Sequence, residues 1–123
     1  MTGIYRFDAM DWHAPTAPGT DPAATAESAR RGARRGFLAQ GDSGFYAQIV
    51  DIPPDFEAPP HSHDHAEVFV VLEGSCTFDG DPLKPYDMAV VAADQVYGFT
   101  SGSDGLRFLI VRTGRASFAT AQS

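Results

Sequence analysis

The chain has 123 residues, 43% of them hydrophobic, which suits one domain around one core. Its net charge of −7 argues against general binding to nucleic acid, which needs a basic surface to displace counterions. No apolar run is long enough to cross a bilayer, and the opening MTGIYRFDAMDW lacks the basic-then-apolar order of a secretory signal.

Residues 1–35 read as an N-terminal arm. The stretch HAPTAPGTDPAATAESARRGARRG is rich in Ala, Pro, Gly and Thr and poor in large apolar residues. A short helix is predicted at 21–31, with Asp21 as its cap, Pro22 at its first position and Gly32 just past its end. The basic cluster from Arg30 to Arg35 is either a solvated patch or an anion site or oligomer contact.

From Gly36 the pattern changes to short apolar runs between turn residues. GFLAQ, FYAQIVDI, EVFVVLEG, SCTF, MAVVAA, QVYGFTS and LRFLIVRT are rich in Val, Ile and Phe. That spacing predicts an all-β sandwich or barrel over 36–115, followed by a tail at 116–123. The doubled prolines at 53–54 and 59–60 predict a loop over 53–60 that delivers the chain to His61. The lone Cys76 has no internal disulfide partner, so a reducing cytoplasm is the expected compartment. It reads as a small buried hydrophobe.

His61, His63, His65 and Glu67 share one parity within HSHDHAE. On a straight strand, His61 and Glu67 would lie roughly 20 Å apart at about 3.3 Å per residue. Ligand atoms must approach a metal to about 2.0–2.2 Å. Glu67 can therefore join His61 and His63 only if the chain turns through Asp64 to Ala66. Two imidazoles and a carboxylate would then suit Fe(II), Mn(II), Ni(II) or Zn(II), with open positions for water or substrate. The plain alternative is a polar strand edge rich in histidine. His65 is a possible extra ligand, or it faces solvent in the turn.

HSHDHAEVFVVLEG resembles the first conserved motif of the cupin superfamily, G-x5-H-x-H-x3,4-E-x6-G. His61, His63, Glu67 and Gly74 fall at its spacing, and Asp55 replaces its opening glycine. LKPYDMAVVAADQVYGFTS is similar in length and pattern to the second motif, G-x5-P-x-G-x2-H-x3-N. Its signature positions are held by Tyr86, Ala92, Asp94, Tyr97 and Ser101. The resemblance implies a cupin-like β-barrel, a double-stranded β-helix or jelly roll, commonly a homodimer, with its site inside. It implies metal ligation by His61, His63 and Glu67, with Tyr97 in place of the usual fourth histidine.

Tyr97 then has three readings: a ligand or hydrogen-bond donor at the metal, a general acid or base whose pKa a metal lowers, or a filler where the metal has been lost. Parity places Phe69, Val71 and Phe99 either on the pocket wall or in plain core packing. Tyr46 with Gln48, or else Phe45 with Ala47, faces inward.

The functional expectation is metal-dependent chemistry on a small organic molecule, with catalytic roles at Tyr97 and Glu67. Dioxygenase-type oxidoreductase chemistry is placed first, on the resemblance alone. Lewis-acid isomerase, cyclase or lyase chemistry follows. The rival is a non-enzymatic barrel that binds a small ligand after losing its metal. A metal-free enzyme using Tyr97 with a histidine is a third reading. No nucleic-acid or membrane partner is expected.

Overall fold

The computed structural model describes residues 2–15, 22–115 and 119–120. Helix α1 spans Pro22–Arg30, inside the stretch predicted to be helical; its expected cap, Asp21, lies outside the described residues. Among the described residues nine strands follow in chain order: β1 (Trp12–His13), β2 (Arg34–Gln40), β3 (Tyr46–Ile52), β4 (Glu57–Ser62), β5 (Glu67–Phe78), β6 (Asp81–Leu83), β7 (Met88–Val91), β8 (Tyr97–Arg112) and β9 (Ala119–Thr120). Every strand pair among them is antiparallel. The all-β reading is what the structure shows. No helix among the described residues is long and apolar enough to cross a membrane.

β8 organises the sheet. Along one edge it pairs with β5 from Glu67↔Arg112 to Phe78↔Phe99. Along the other it pairs with β3 through its second half and with β4 through its first. Both long strands switch face midway. In β5 the buried positions are Glu67, Phe69 and Val71, then Cys76 and Phe78. In β8 they are Tyr97, Phe99 and Ser101, then Leu106, Phe108, Ile110 and Arg112. Register shifts between Val71 and Cys76 make the switch and bend the paired strands together. Gly74 sits at that bend with φ of 75°, and a Cβ there would run into the Gly105 carbonyl oxygen. A glycine is needed there on both counts.

Inside the bend lies an aromatic core. Phe69 stacks on Phe108 at 4.4 Å and meets Phe78 at 5.1 Å and Phe99 at 5.5 Å. Phe69 and Val71 are completely buried. They are core packing rather than an open pocket wall, because four phenyl rings fill the space their shared face encloses.

Two boundaries differ from the sequence expectation. The 53–60 loop is shorter than predicted, because β4 begins at Glu57 and contains Pro59 and Pro60. The prolines sit where the β4–β8 register shifts, between Ala58 and His61, so their missing N–H groups leave a local gap in pairing without ending the strand. The arm and tail also reach the sheet: Trp12 pairs with Gly36, and Thr120 pairs with His61. The Arg34 guanidinium lies 3.9 Å from the Trp12 ring centre, and Met10 covers Gly36. The arm therefore lies along its own barrel.

Candidate functional site

His61 is the last buried residue of β4 and lies directly opposite Tyr97, the first residue of β8. His63 follows on the same side, the chain bends at Asp64 and His65, and Glu67 opens β5 opposite Arg112. The turn required to bring Glu67 back is present. The His61 ring centre is 4.5 Å from that of Tyr97 and 5.0 Å from that of His63; His63 and Tyr97 are 6.2 Å apart. Tyr97 is also stacked on Phe78 at 5.1 Å, which holds the phenol against the aromatic core.

The electrostatics follow from burial. The His61 Nδ1–H donates to the Pro59 carbonyl at 2.8 Å, which places the ring's lone pair on Nε2. Burial holds the His61 pKa below its ordinary value, which favours the neutral ring. Burial pushes the Tyr97 phenol far above its ordinary pKa, and the adjacent Glu67 charge pushes it further. The raised pKa favours the protonated phenol in these surroundings.

Glu67 is 2% exposed, and its Oε2 accepts a 2.7 Å hydrogen bond from Arg112 Nε. Its other oxygen, Oε1, is buried with no hydrogen-bond partner among the described residues. The carboxylate thus belongs to an ion pair buried at the start of β5 and the end of β8. His65 lies partly exposed in the bend, with Nδ1 2.8 Å from Asp64 Oδ1.

A cupin metal is expected to sit among His61, His63 and Glu67. As the side chains stand they do not fit it. Among the described residues no three His, Cys, Asp or Glu side chains converge to hold an ion. Arg112 also brings a fixed positive charge to the carboxylate that a divalent cation would need. As they stand, the expected ligand residues are two neighbouring imidazoles beside Tyr97 and a carboxylate that accepts from Arg112.

Tyr46 and Gln48 lie on the inward register. Tyr46 pairs with Arg112 across β3–β8, and Gln48 pairs with Ile110 and Phe37, whereas Phe45 is exposed. Both line a cavity of about 250 Å³ that Arg112 also lines. Tyr97 and Phe99 line a separate, more open groove of about 450 Å³.

Two residues given no role by the sequence reasoning prove central. Arg112 shares inward parity with Leu106, Phe108 and Ile110, and a charge in that register of an apolar run was the available signal. Ser101 stands where the second motif carries asparagine. Its buried hydroxyl donates to the Pro53 carbonyl at 2.6 Å and accepts from Phe56 N–H at 2.8 Å, fastening the loop before β4. Cys76 is buried, and its thiol is pushed up to about 11 by burial, so it is no nucleophile.

The chain matches the Cupin domain family model over residues 48–112. No curated protein matches it. Among solved structures it resembles the polyketide cyclase RemF from Streptomyces resistomycificus, with a TM-score of 0.76 and 18% identity over 98% of this chain and 86% of that one. It also resembles KdgF from Halomonas sp., with a TM-score of 0.66 and 20% identity over 94% and 96% of the two chains. An RmlC-like cupin from Shewanella frigidimarina NCIMB 400 aligns with a TM-score of 0.56 and 22% identity over 67% of this chain and 76% of its own. At these identities the likeness is one of fold.

Proposed function

Since this chain belongs to the cupin family, we propose that its barrel binds a small organic molecule and moves a proton on it, in an isomerase-, cyclase- or lyase-type step. The observation that carries this reading is the pairing of a buried His61, anchored through Nδ1, with the buried Tyr97 phenol, ring centres 4.5 Å apart. Tyr97 donates its hydroxyl proton in a hydrogen bond to the substrate's carbonyl oxygen, where negative charge develops. His61 Nε2 takes the proton from the adjacent carbon and returns it at a second position. Glu67 and Arg112 hold the polar end of the barrel together, and their paired charges surround the phenol. The likeness to a protein named as a polyketide cyclase agrees with this class of chemistry.

The test uses deuterium oxide and NMR to follow exchange of protons next to the carbonyl of 2-oxo acids and cyclic 1,3-diketones. Tyr97→Phe is expected to lower the rate about 10²–10³-fold, the usual loss for one oxyanion donor. His61→Ala is expected to lower it about 10²–10⁴-fold. Exchange no faster than in buffer, with the probes still bound, would make the barrel a non-enzymatic binding module.

One observation favours a second reading. Glu67 Oε1 is a buried acceptor with no hydrogen-bond partner among the described residues. A rearranged site could offer it, with His61 and His63, to an iron, manganese, nickel or zinc ion, which would supply the oxygenase-type activity that the first motif implies. Oxygen uptake after iron loading, lost in His63→Ala, is its signature.

The chain is also proposed to form a two-fold dimer. The outer face of β7 exposes Met88 and Val90, beside half-buried Val68 and Val70 of β5. A sedimentation mass of one chain at micromolar concentration would remove this proposal. The single buried cysteine fits a reducing, cytoplasmic setting.

A further inference from the structure

The 250 Å³ cavity beside the ion pair has an unusual charge. Its walls are Arg35, Phe37, Ala39, Gln40, Tyr46, Ala47, Gln48, Arg112 and Arg115. Three of the protein's nine basic residues meet there, and no acidic side chain lines the cavity, although the whole chain carries a net charge of −7.

The arginines are placed for different contacts. Arg112 gives its Nε to Glu67 and also lines the cavity. Arg35 packs over the Phe37 ring at 5.3 Å, and Arg115 lies 6.0 Å from the Tyr46 ring centre at the exposed rim. Burial, and then the positive charge of Arg112, pull the Arg35 pKa below its ordinary value. Two like charges at a partly desolvated mouth repel each other, and an anion between them relieves that repulsion. Gln48 adds a buried amide oxygen with no donor among the described residues. It would accept a hydrogen bond from a ligand hydroxyl.

Phe37, Ala39, Tyr46 and Ala47 add apolar surface to the wall, beside Gln40. The volume equals roughly eight waters at about 30 Å³ each, room for one ring and a carboxylate. Guanidinium forks pair bidentately with a planar carboxylate, and the apolar wall favours an organic anion over an inorganic one.

We propose that this arginine-lined cavity is a small-molecule site in its own right, and that it takes a small, ring-bearing organic carboxylate with a neighbouring hydroxyl. The proposal goes beyond the proton-transfer reading and does not rest on it. It places the carboxylate on Arg35, Arg112 and Arg115, the ring on Tyr46 and Phe37, and the hydroxyl on Gln48. Arg112 links this site to Glu67 and Tyr97. The sharper reading of the basic cluster thus falls to one of its members, Arg35. The others are otherwise engaged: Arg30 with Glu27, Arg31 with the Pro54 carbonyl, and Arg34 with Asp51.

The test is direct binding by calorimetry of benzoate, 2-hydroxybenzoate, neutral benzamide and inorganic phosphate. Wild-type protein is expected to bind 2-hydroxybenzoate best, then benzoate, with benzamide at least tenfold weaker. Arg35→Gln and Arg115→Gln should each weaken both carboxylates, about tenfold for Arg35, while leaving benzamide unchanged. Arg115 is exposed, so its variant carries little folding risk, and Arg35→Gln should keep or raise the ligand-free melting point because it removes repulsion with Arg112. Arg112 itself is avoided, since its loss strands Glu67. His61→Ala should bind the carboxylates like wild type, so a failed exchange assay with intact binding separates the proton-transfer reading from this one. Phosphate binding as tightly as benzoate, benzamide binding equally, or carboxylate binding indifferent to both arginine variants would overturn the proposal.

Discussion

The two halves of this barrel's interior are built on the same strands and the same parity, yet one is filled and the other is poised. Around Phe69 the inward positions of β5 and β8 hold Phe78, Phe99 and Phe108, and the rings close on one another. One step along, the same faces hold Glu67, Arg112, Tyr97 and His61, all buried and all polar. Hydrophobic burial is indifferent to direction, so the phenylalanine half needs only volume. The polar half needs partners, because an uncompensated buried charge costs several kcal/mol. Its geometry is therefore set by pairs: His61 with Pro59, and Glu67 with Arg112. The lesson is that this fold buys rigidity at one end and spends it holding reactive groups at the other.

That contrast can be broken first at Phe69. Phe69→Ala should cost about 3–5 kcal/mol in denaturant unfolding, because the rings around it cannot collapse into the gap. The polar half should respond differently. Glu67→Gln strands the Arg112 cation and should cost about 3 kcal/mol, whereas Glu67→Leu combined with Arg112→Met should restore most of it. A double variant no better than the single would show that the pair is more than mutual compensation.

A half-exposed ion cluster sharpens the comparison. Asp51 accepts from Arg107 at 2.7 Å and Arg34 at 2.9 Å on the outer face. Burial raises its carboxyl pKa, but the hydrogen bonds from Arg107 and Arg34 outweigh it and hold the group below its ordinary 3.8. The folded-state pKa is depressed, so this stability is present above the unfolded value near 4 and is lost as pH falls through the acid range. Asp51→Asn should cost about 1 kcal/mol at neutral pH and make acid unfolding shallower, as pH-dependent melting would record. The smallest effect is chemical. With its thiol raised to about 11, Cys76 should resist alkylation at pH 8 in the folded protein and react once it is unfolded.

Much of this was legible in the residues. Short runs rich in Val, Ile and Phe announced the strands, and the resemblance carried by His61, His63, Glu67 and Gly74 announced the barrel. Ligand reach made a turn through Asp64 to Ala66 the condition for Glu67 to join the histidines, and the chain does bend at Asp64 and His65. What could not be read was the partner of Glu67. Arg112 lies 45 residues away, and only the β5–β8 register brings the two together. Motif spacing records which residues share a loop, but a long-range cross-strand neighbour decides whether a carboxylate faces a metal or a guanidinium. The inward choice of Tyr46 and Gln48 over Phe45 was undecidable for the same reason, since a one-residue slip exchanges the faces. Pro59 and Pro60 misled in the other direction: a register shift absorbed them inside a strand.

The central claim is that Glu67 serves Arg112 and leaves His61 and Tyr97 to handle protons. Elemental analysis of untagged protein purified without chelators, beside His63→Ala, tests it most directly. The account predicts that neither protein carries a near-stoichiometric iron, manganese, nickel or zinc ion, even after reloading. A near-stoichiometric metal in the wild type that disappears in His63→Ala would contradict it and return Glu67 to the metal.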